Sequence, residues 1–183
     1  MNAFEQGTRR VIPAVIVYGY RSGEDEKKEY LMLHRDSKTV PGQVPDYHSG
    51  KWNGLGGKLE ADESPQEAAK REFFEESGIE LPEPDFRHLG VLQFPNFKAH
   101  KSEDWVCWIF LVQVPMGFEP LKRVTEGSLH WIKADQMLTL NLWPGDVLFL
   151  PLVLKNRPFF GSIWYEGGTV LRHSVLEMGI AGT

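Results

Sequence analysis

Glu72, Glu75 and Glu76 stand at i, i+3 and i+4 within the stretch GKLEADESPQEAAKREFFEESGI, residues 57–79. On a helix these three carboxylates share one face. Ionised, they repel, each like-charged pair costing roughly a few tenths of a kcal/mol. No lysine or arginine is interleaved on that face to offset the repulsion. A hard divalent cation would do so, because magnesium and manganese prefer oxygen ligands and keep waters that substrate phosphates can replace. The alternative is a solvated acidic face, the common fate of charge runs, and the glutamates alone leave both readings open.

The residues around them specify the helix that would carry them. Ser64 and Glu67 form a capping-box pair, and Pro65 stands where a first helical residue belongs. The helix runs through QEAAKREFFEES and stops at Gly78, a residue suited to the left-handed conformation that ends helices. Ala69 and Phe73, four apart, make a narrow apolar strip beside the carboxylates that can dock on a core.

Gly57, then Glu63, then Arg71-Glu72-Phe73-Phe74-Glu75-Glu76-Ser77-Gly78-Ile79 resembles the Nudix box at every fixed position. The resemblance implies a Nudix fold, an α+β (α-β-α sandwich) arrangement with a mixed β-sheet between helices. It also implies hydrolysis of a nucleoside diphosphate linked to another moiety, with Mg2+ or in its place Mn2+. Carried over from the box, Glu72, Glu75 and Glu76 are the expected metal ligands, with the Gly57 carbonyl as a further oxygen ligand. Arg71 is expected to hold the glutamates through a charge-assisted bond, and Glu63 to orient Arg71 or the loop. One more carboxylate is needed from outside the helix as base or ligand. Glu126, in RVTEGSLHW, is the candidate, and it competes with Glu75 for the general-base role while Glu76 and Arg71 complete the catalytic set.

The position of Glu126 ahead of Trp131 resembles one Nudix branch, the oxidised purine nucleoside triphosphate hydrolases. That likeness spans most of residues 50–176, with its strongest parts at Trp52-Asn53-Gly54-Leu55-Gly56-Gly57-Lys58 and Leu142-Trp143-Pro144-Gly145-Asp146, followed by FLPLVLKNRPFFG. Transferred by position, Asn53 and Asp146 hydrogen-bond the base edge and Trp143 packs on its face. A carboxylate accepts from the two donors of a guanine edge, whereas an amide both donates and accepts. Stacking on an aromatic ring contributes roughly 1–3 kcal/mol per base. Gly145 departs from the pattern, standing where the mammalian-type enzymes carry the first of two adjacent aspartates. The implied activity is Mg-dependent conversion of a purine nucleoside triphosphate, 8-oxo-dGTP in the first instance, to the monophosphate and pyrophosphate. The rivals are a pyrophosphohydrolase of RNA 5′-triphosphate ends, a nucleoside diphosphate sugar hydrolase, and a non-catalytic nucleotide-binding module, which an intact box disfavours.

The remaining chain sets the frame. At 183 residues a single domain over 1–183 is expected, with a loose lead-in at 1–10 and a long loop at 36–51. The net charge of −5 supplies no global basic field, so the expected partner is a small-molecule nucleotide and not a stably bound nucleic acid. One cysteine, no basic-then-apolar leader and no long apolar run point to a cytoplasmic protein without a membrane partner; a monomer is the expectation. Strands are expected at 11–20, 29–35, 88–94, 104–114 and 128–134, with a brief helical turn capped by Asp135. A second helix starts near Pro144 or Gly145, kinked or shortened by Pro151, before a terminal hairpin turning at Gly167-Gly168. Cys107 reads as a small packed strand residue, and Trp52, Trp105, Trp108, Trp131 and Trp164 as core or rim packing. Phe94 and Phe97 are candidates for lining a purine slot, although strand aromatics usually serve the core. The six histidines show no metal-type spacing.

Overall fold

The computed structural model describes residues 8–23, 25–36 and 49–179. Most of the expected lead-in and of the loop at 36–51 lie outside the described residues.

The central strand is β1 (Arg10–Ser22), whose apolar run needs cover on both faces. Successive side chains of a strand point to opposite faces, and β1 shows it: Ala14 and Tyr18 enter one core cluster, Val15 and Val17 the other. β2 (Lys28–Arg35) pairs antiparallel with β1 through the charged turn, as the hairpin reading expects. β3 (Trp52–Asn53), β4 (Arg87–Lys98), β5 (Glu103–Gln113), β6 (Arg123–Val124), β7 (Gly127–Lys133), β8 (Phe159–Glu166) and β9 (Thr169–Glu177) follow. The strands lie in the order β6-β7-β2-β1-β5-β4-β8-β9, with β3 paired to β2. The β1–β5 and β4–β8 pairs are parallel and the rest antiparallel, so the sheet is mixed.

Helix α1 (Pro65–Ser77) covers one face, burying Ala68, Ala69 and Phe73 against Val15, Val17, Phe110 and Val112. Its start is the expected capping box: Ser64 Oγ accepts the Glu67 N–H at 3.2 Å, and Glu67 Oε2 accepts the Ser64 N–H at 2.8 Å. Its end is Gly78 at φ 72°. Helix α2 (Asp146–Leu154) covers the other face through Phe149, Leu150 and Val153, packed with Tyr30, Met32, Leu92 and Phe159. Helix, mixed sheet, helix is the α+β sandwich that the box resemblance implies.

Three local features depart from the sequence reading. The helical turn after β7 spans Met137–Thr139 and has no side-chain cap; Asp135 lies outside it and instead pairs with Lys27 at 3.3 Å. Two-residue strands such as β3 and β6 are too short to leave a periodic pattern. Strand β4 runs past residue 94 because it bulges: Asn96 takes φ 62°, and the β5 register shifts between Phe94 and Lys98. The Asp104 carboxylate, itself paired with Arg9, pins that bulge by accepting the Asn96 N–H at 2.6 Å.

Candidate active site

The glycine-rich segment after β3 runs antiparallel along β1. Val17 N–H donates to the Leu55 carbonyl at 2.6 Å and Val15 N–H to the Gly57 carbonyl at 2.8 Å, which fixes the loop beside the second half of α1, where Glu72 and Glu76 meet it. Glu72 leans across Gly57: a Cβ there would lie within 2.7 Å of Glu72 Oε2, so this close approach needs glycine. Between the two anchored residues, Gly56 turns its N–H to Glu76 Oε2 at 2.7 Å.

Arg71 organises the carboxylates around it. Its guanidinium grips Glu63 with two bonds of 2.8 Å, reaches Glu72 Oε1 at 2.8 Å and Glu75 Oε2 at 3.4 Å, and donates to the Lys58 carbonyl at 3.1 Å. The expected role of Glu63 is visible in that grip, and the bond to Arg71 holds its carboxyl below the ordinary range. Although no cation is interleaved on the acidic face, Arg71 reaches round from beside it. Glu76 stays out of this network. Burial, with Glu72 and Glu75 adding, pushes its carboxyl up to about 7 against the opposing pull of the Gly56 N–H and Arg35.

Glu126 sits one residue before β7, where Gly127 pairs with Arg35, and the Arg35 guanidinium ion-pairs with it. Arg35, Glu76 and Glu126 all line a cavity of about 330 Å3 that also takes in Asn53, Trp143 and Asp146. Residues from β2, β3, α1, the β6–β7 turn and the start of α2 thus meet on one hollow. Glu72, Glu75 and Arg71 are not among its lining residues. Asp146 opens α2 with its N–H on the Trp143 carbonyl at 3.0 Å. Burial raises its carboxyl to about 7 despite a hydrogen bond to the carboxylate from the Trp143 backbone and the charge of Lys51.

The bulge in β4 explains the aromatic wall. Residues three apart in a regular strand face opposite ways, yet Phe94 and Phe97 both line the cavity, their ring centroids 6.0 Å apart. Phe97 stands edge-on to Trp143 at 5.5 Å. Trp105, read as packing, is also a lining residue, with Lys98 Nζ at 4.6 Å and Lys58 Nζ at 5.6 Å from its ring centroid. Sequence reasoning missed Arg35, Lys98 and Tyr165 as lining residues, and no motif marks them. Cys107 lies on the cavity wall as a buried thiol that burial pushes up to about 12, which keeps it neutral and inert. Trp52, Trp131 and Trp164 pack against His34, Arg21 and Arg172 respectively.

The box donors are carboxylate and backbone oxygens without thiolate or imidazole, a set suited to a hard divalent cation. Among the described residues no three acidic, histidine or cysteine side chains are drawn into a finished metal cage. Arg71, the Gly56 N–H and Arg35 each hold part of the set instead. The donor chemistry fits the cation.

The NUDIX domain profile covers residues 11–153, from β1 nearly to the end of α2. The oxidized purine nucleoside triphosphate hydrolase of Danio rerio is 32% identical over 132 residues, which span 72% of this chain and 80% of that protein. Its counterpart from Mus musculus is 31% identical over 134 residues, 72% of this chain and 81% of that protein. The MutT protein of Bacillus halodurans superposes with a TM-score of 0.72 at 27% identity, covering 90% of this chain and 97% of that one. Capped box helix, mixed sheet and profile agree over one continuous span, and the chain belongs to the Nudix hydrolase family.

Proposed function

We propose that this protein hydrolyses a purine nucleoside triphosphate, with 8-oxo-dGTP the leading candidate, to the monophosphate and pyrophosphate in the presence of Mg2+ or Mn2+. The supporting observation is that Glu76 and Glu126 share a single cavity of about 330 Å3 with Asn53, Trp143 and Asp146. A phosphate chain at the first pair and a base at the second trio would occupy one continuous hollow.

Nudix hydrolases use divalent cations, and a bound cation neutralises developing charge on phosphate oxygens and lowers the pKa of its water. Glu72, Glu75 and Glu76 would hold it. For the backbone oxygen, Gly56 is a better donor than the Gly57 carbonyl implied by the box, since Leu55 and Gly57 both turn their carbonyls to β1. Arg71 orients Glu72 and Glu75. Of the two candidate bases, Glu126 lines the cavity and Glu75 does not, so Glu126 takes the proton of the attacking water. Arg35, Lys58 and Lys98 present positive charge to the phosphate tail. Asn53 and Asp146 meet the base edge, and Trp143 packs on its face. Monomeric, cytoplasmic operation without a stable nucleic-acid partner belongs to the same proposal. Among the described residues no helix is long and apolar enough to cross a membrane.

Product analysis tests the reaction. With Mg2+ and a purine nucleoside triphosphate, monophosphate and pyrophosphate are expected in equal amounts, and EDTA stops their formation. Release of orthophosphate, or undiminished turnover in EDTA, would contradict the proposal.

A further inference from the structure

Gly145 lacks the side chain that a second carboxylate would bring, but the space is not vacant. The Tyr165 hydroxyl occupies it: a Cβ on Gly145 would fall on that oxygen and 3.1 Å from Cζ. The Gly145 N–H donates to the same hydroxyl at 2.9 Å. Tyr165 comes from β8, is 4% exposed, and lines the cavity with Asp146. Its ring is set edge-on to Phe97, another lining residue of the cavity, at 5.4 Å.

We infer that the Tyr165 hydroxyl is a specificity-determining hydrogen-bond donor to the base, replacing from β8 the polar group absent at Gly145 and selecting 6-oxopurine over 6-aminopurine nucleotides. An oxygen that accepts from Gly145 keeps its own proton to give. Beside it, an ionised Asp146 only accepts. Donor next to acceptor complements the 6-oxopurine edge, where the O6 acceptor adjoins the N1–H and N2–H donors. A 6-aminopurine edge presents a donor at N6 and an acceptor at N1, which reverses the match. Burial and the charge of Asp146 raise the Tyr165 phenol above its ordinary value, so the proton is present throughout the physiological range.

The inference rests on the purine reading above, and the test separates the two. Steady-state kcat/KM is measured for dGTP, dATP and dCTP with the wild type and Tyr165→Phe. The dGTP-to-dATP ratio is expected to fall about tenfold in the variant, as for loss of one hydrogen bond, with thermal unfolding confirming a folded protein. A parallel loss for all three nucleotides, or an unmoved ratio in an enzyme that prefers purines to dCTP, overturns the role of the hydroxyl alone. A wild type without any preference for purines over dCTP overturns the pocket assignment and this inference together. Gly145→Ala places a methyl group on the hydroxyl and is expected to lose turnover, which the double variant with Tyr165→Phe recovers while keeping the flattened ratio. Failure of that recovery would contradict the assigned contact.

Discussion

Glu76→Gln is expected to lose at least about 10³-fold in kcat while making the metal-free protein harder to unfold at pH 8. The two effects share one cause. The Glu76 carboxyl, proposed as a ligand of the cation, is desolvated and beside Glu72 and Glu75, and its folded pKa of about 7 stands above the unfolded value of 4.5. A folded pKa raised in this way means that the folded state binds the proton more tightly. The contribution is therefore complete below about pH 4.5 and is lost as pH rises through about 7. At pH 8 the ionised side chain carries the cost of burial. The amide of glutamine avoids it and can still accept the Gly56 N–H through its oxygen. A gain on the order of 1–3 kcal/mol at pH 8 in EDTA, shrinking toward pH 5, is the expected result from thermal unfolding. Turnover near that of the wild type would remove Glu76 from the metal site. A lower Tm at pH 8 would show that the carboxylate contributes structure and not strain.

The second large effect is expected at Asp146. Asparagine keeps the size of the side chain but turns one acceptor into a donor, facing the donors of a guanine edge. Sites built to hydrogen-bond a substrate reject the mismatched partner strongly, so kcat/KM for guanine nucleotides should fall on the order of 10²-fold or more, carried mainly by KM. The pH dependence supplies the sign. Burial holds the Asp146 carboxyl near 7, and in the proposed pocket the base edge would pair with its ionised form. Affinity for the monophosphate product, measured by calorimetry in EDTA, is therefore expected to rise between pH 6 and 8 in the wild type and to stay flat in Asp146→Asn. An unchanged KM in the variant would sink the base-edge assignment.

The box helix was legible in the sequence because its determinants are local. Ser64, Glu67, Pro65 and Gly78 cap it, and Ala69 with Phe73 anchors it, all within one short stretch. The mixed sheet was legible from the resemblance and from runs such as VIPAVIVYGY, while β3 and β6 were too short to show. In the cavity, legibility depended on distance along the chain. Asn53, Trp143 and Asp146 came through likeness in two segments. The joint placement of Phe94 and Phe97 needs the bulge at Asn96, which depends on Asp104 from the neighbouring strand. Tyr165 was hidden for a similar reason: Gly145 read as the loss of an acceptor, and only the fold brings β8 behind it. Arg35 and Lys98 carry no motif, and a net charge of −5 concealed the cations that line the cavity.

The most direct measurement is steady-state hydrolysis with Mg2+ across 8-oxo-dGTP, dGTP, a triphosphorylated RNA oligomer and a panel of nucleotide sugars, with every product identified. The expected result is monophosphate and pyrophosphate from the purine triphosphates, with kcat/KM highest for 8-oxo-dGTP. A clear preference for RNA ends or for nucleotide sugars would contradict the account of the base pocket built on Asn53, Trp143 and Asp146.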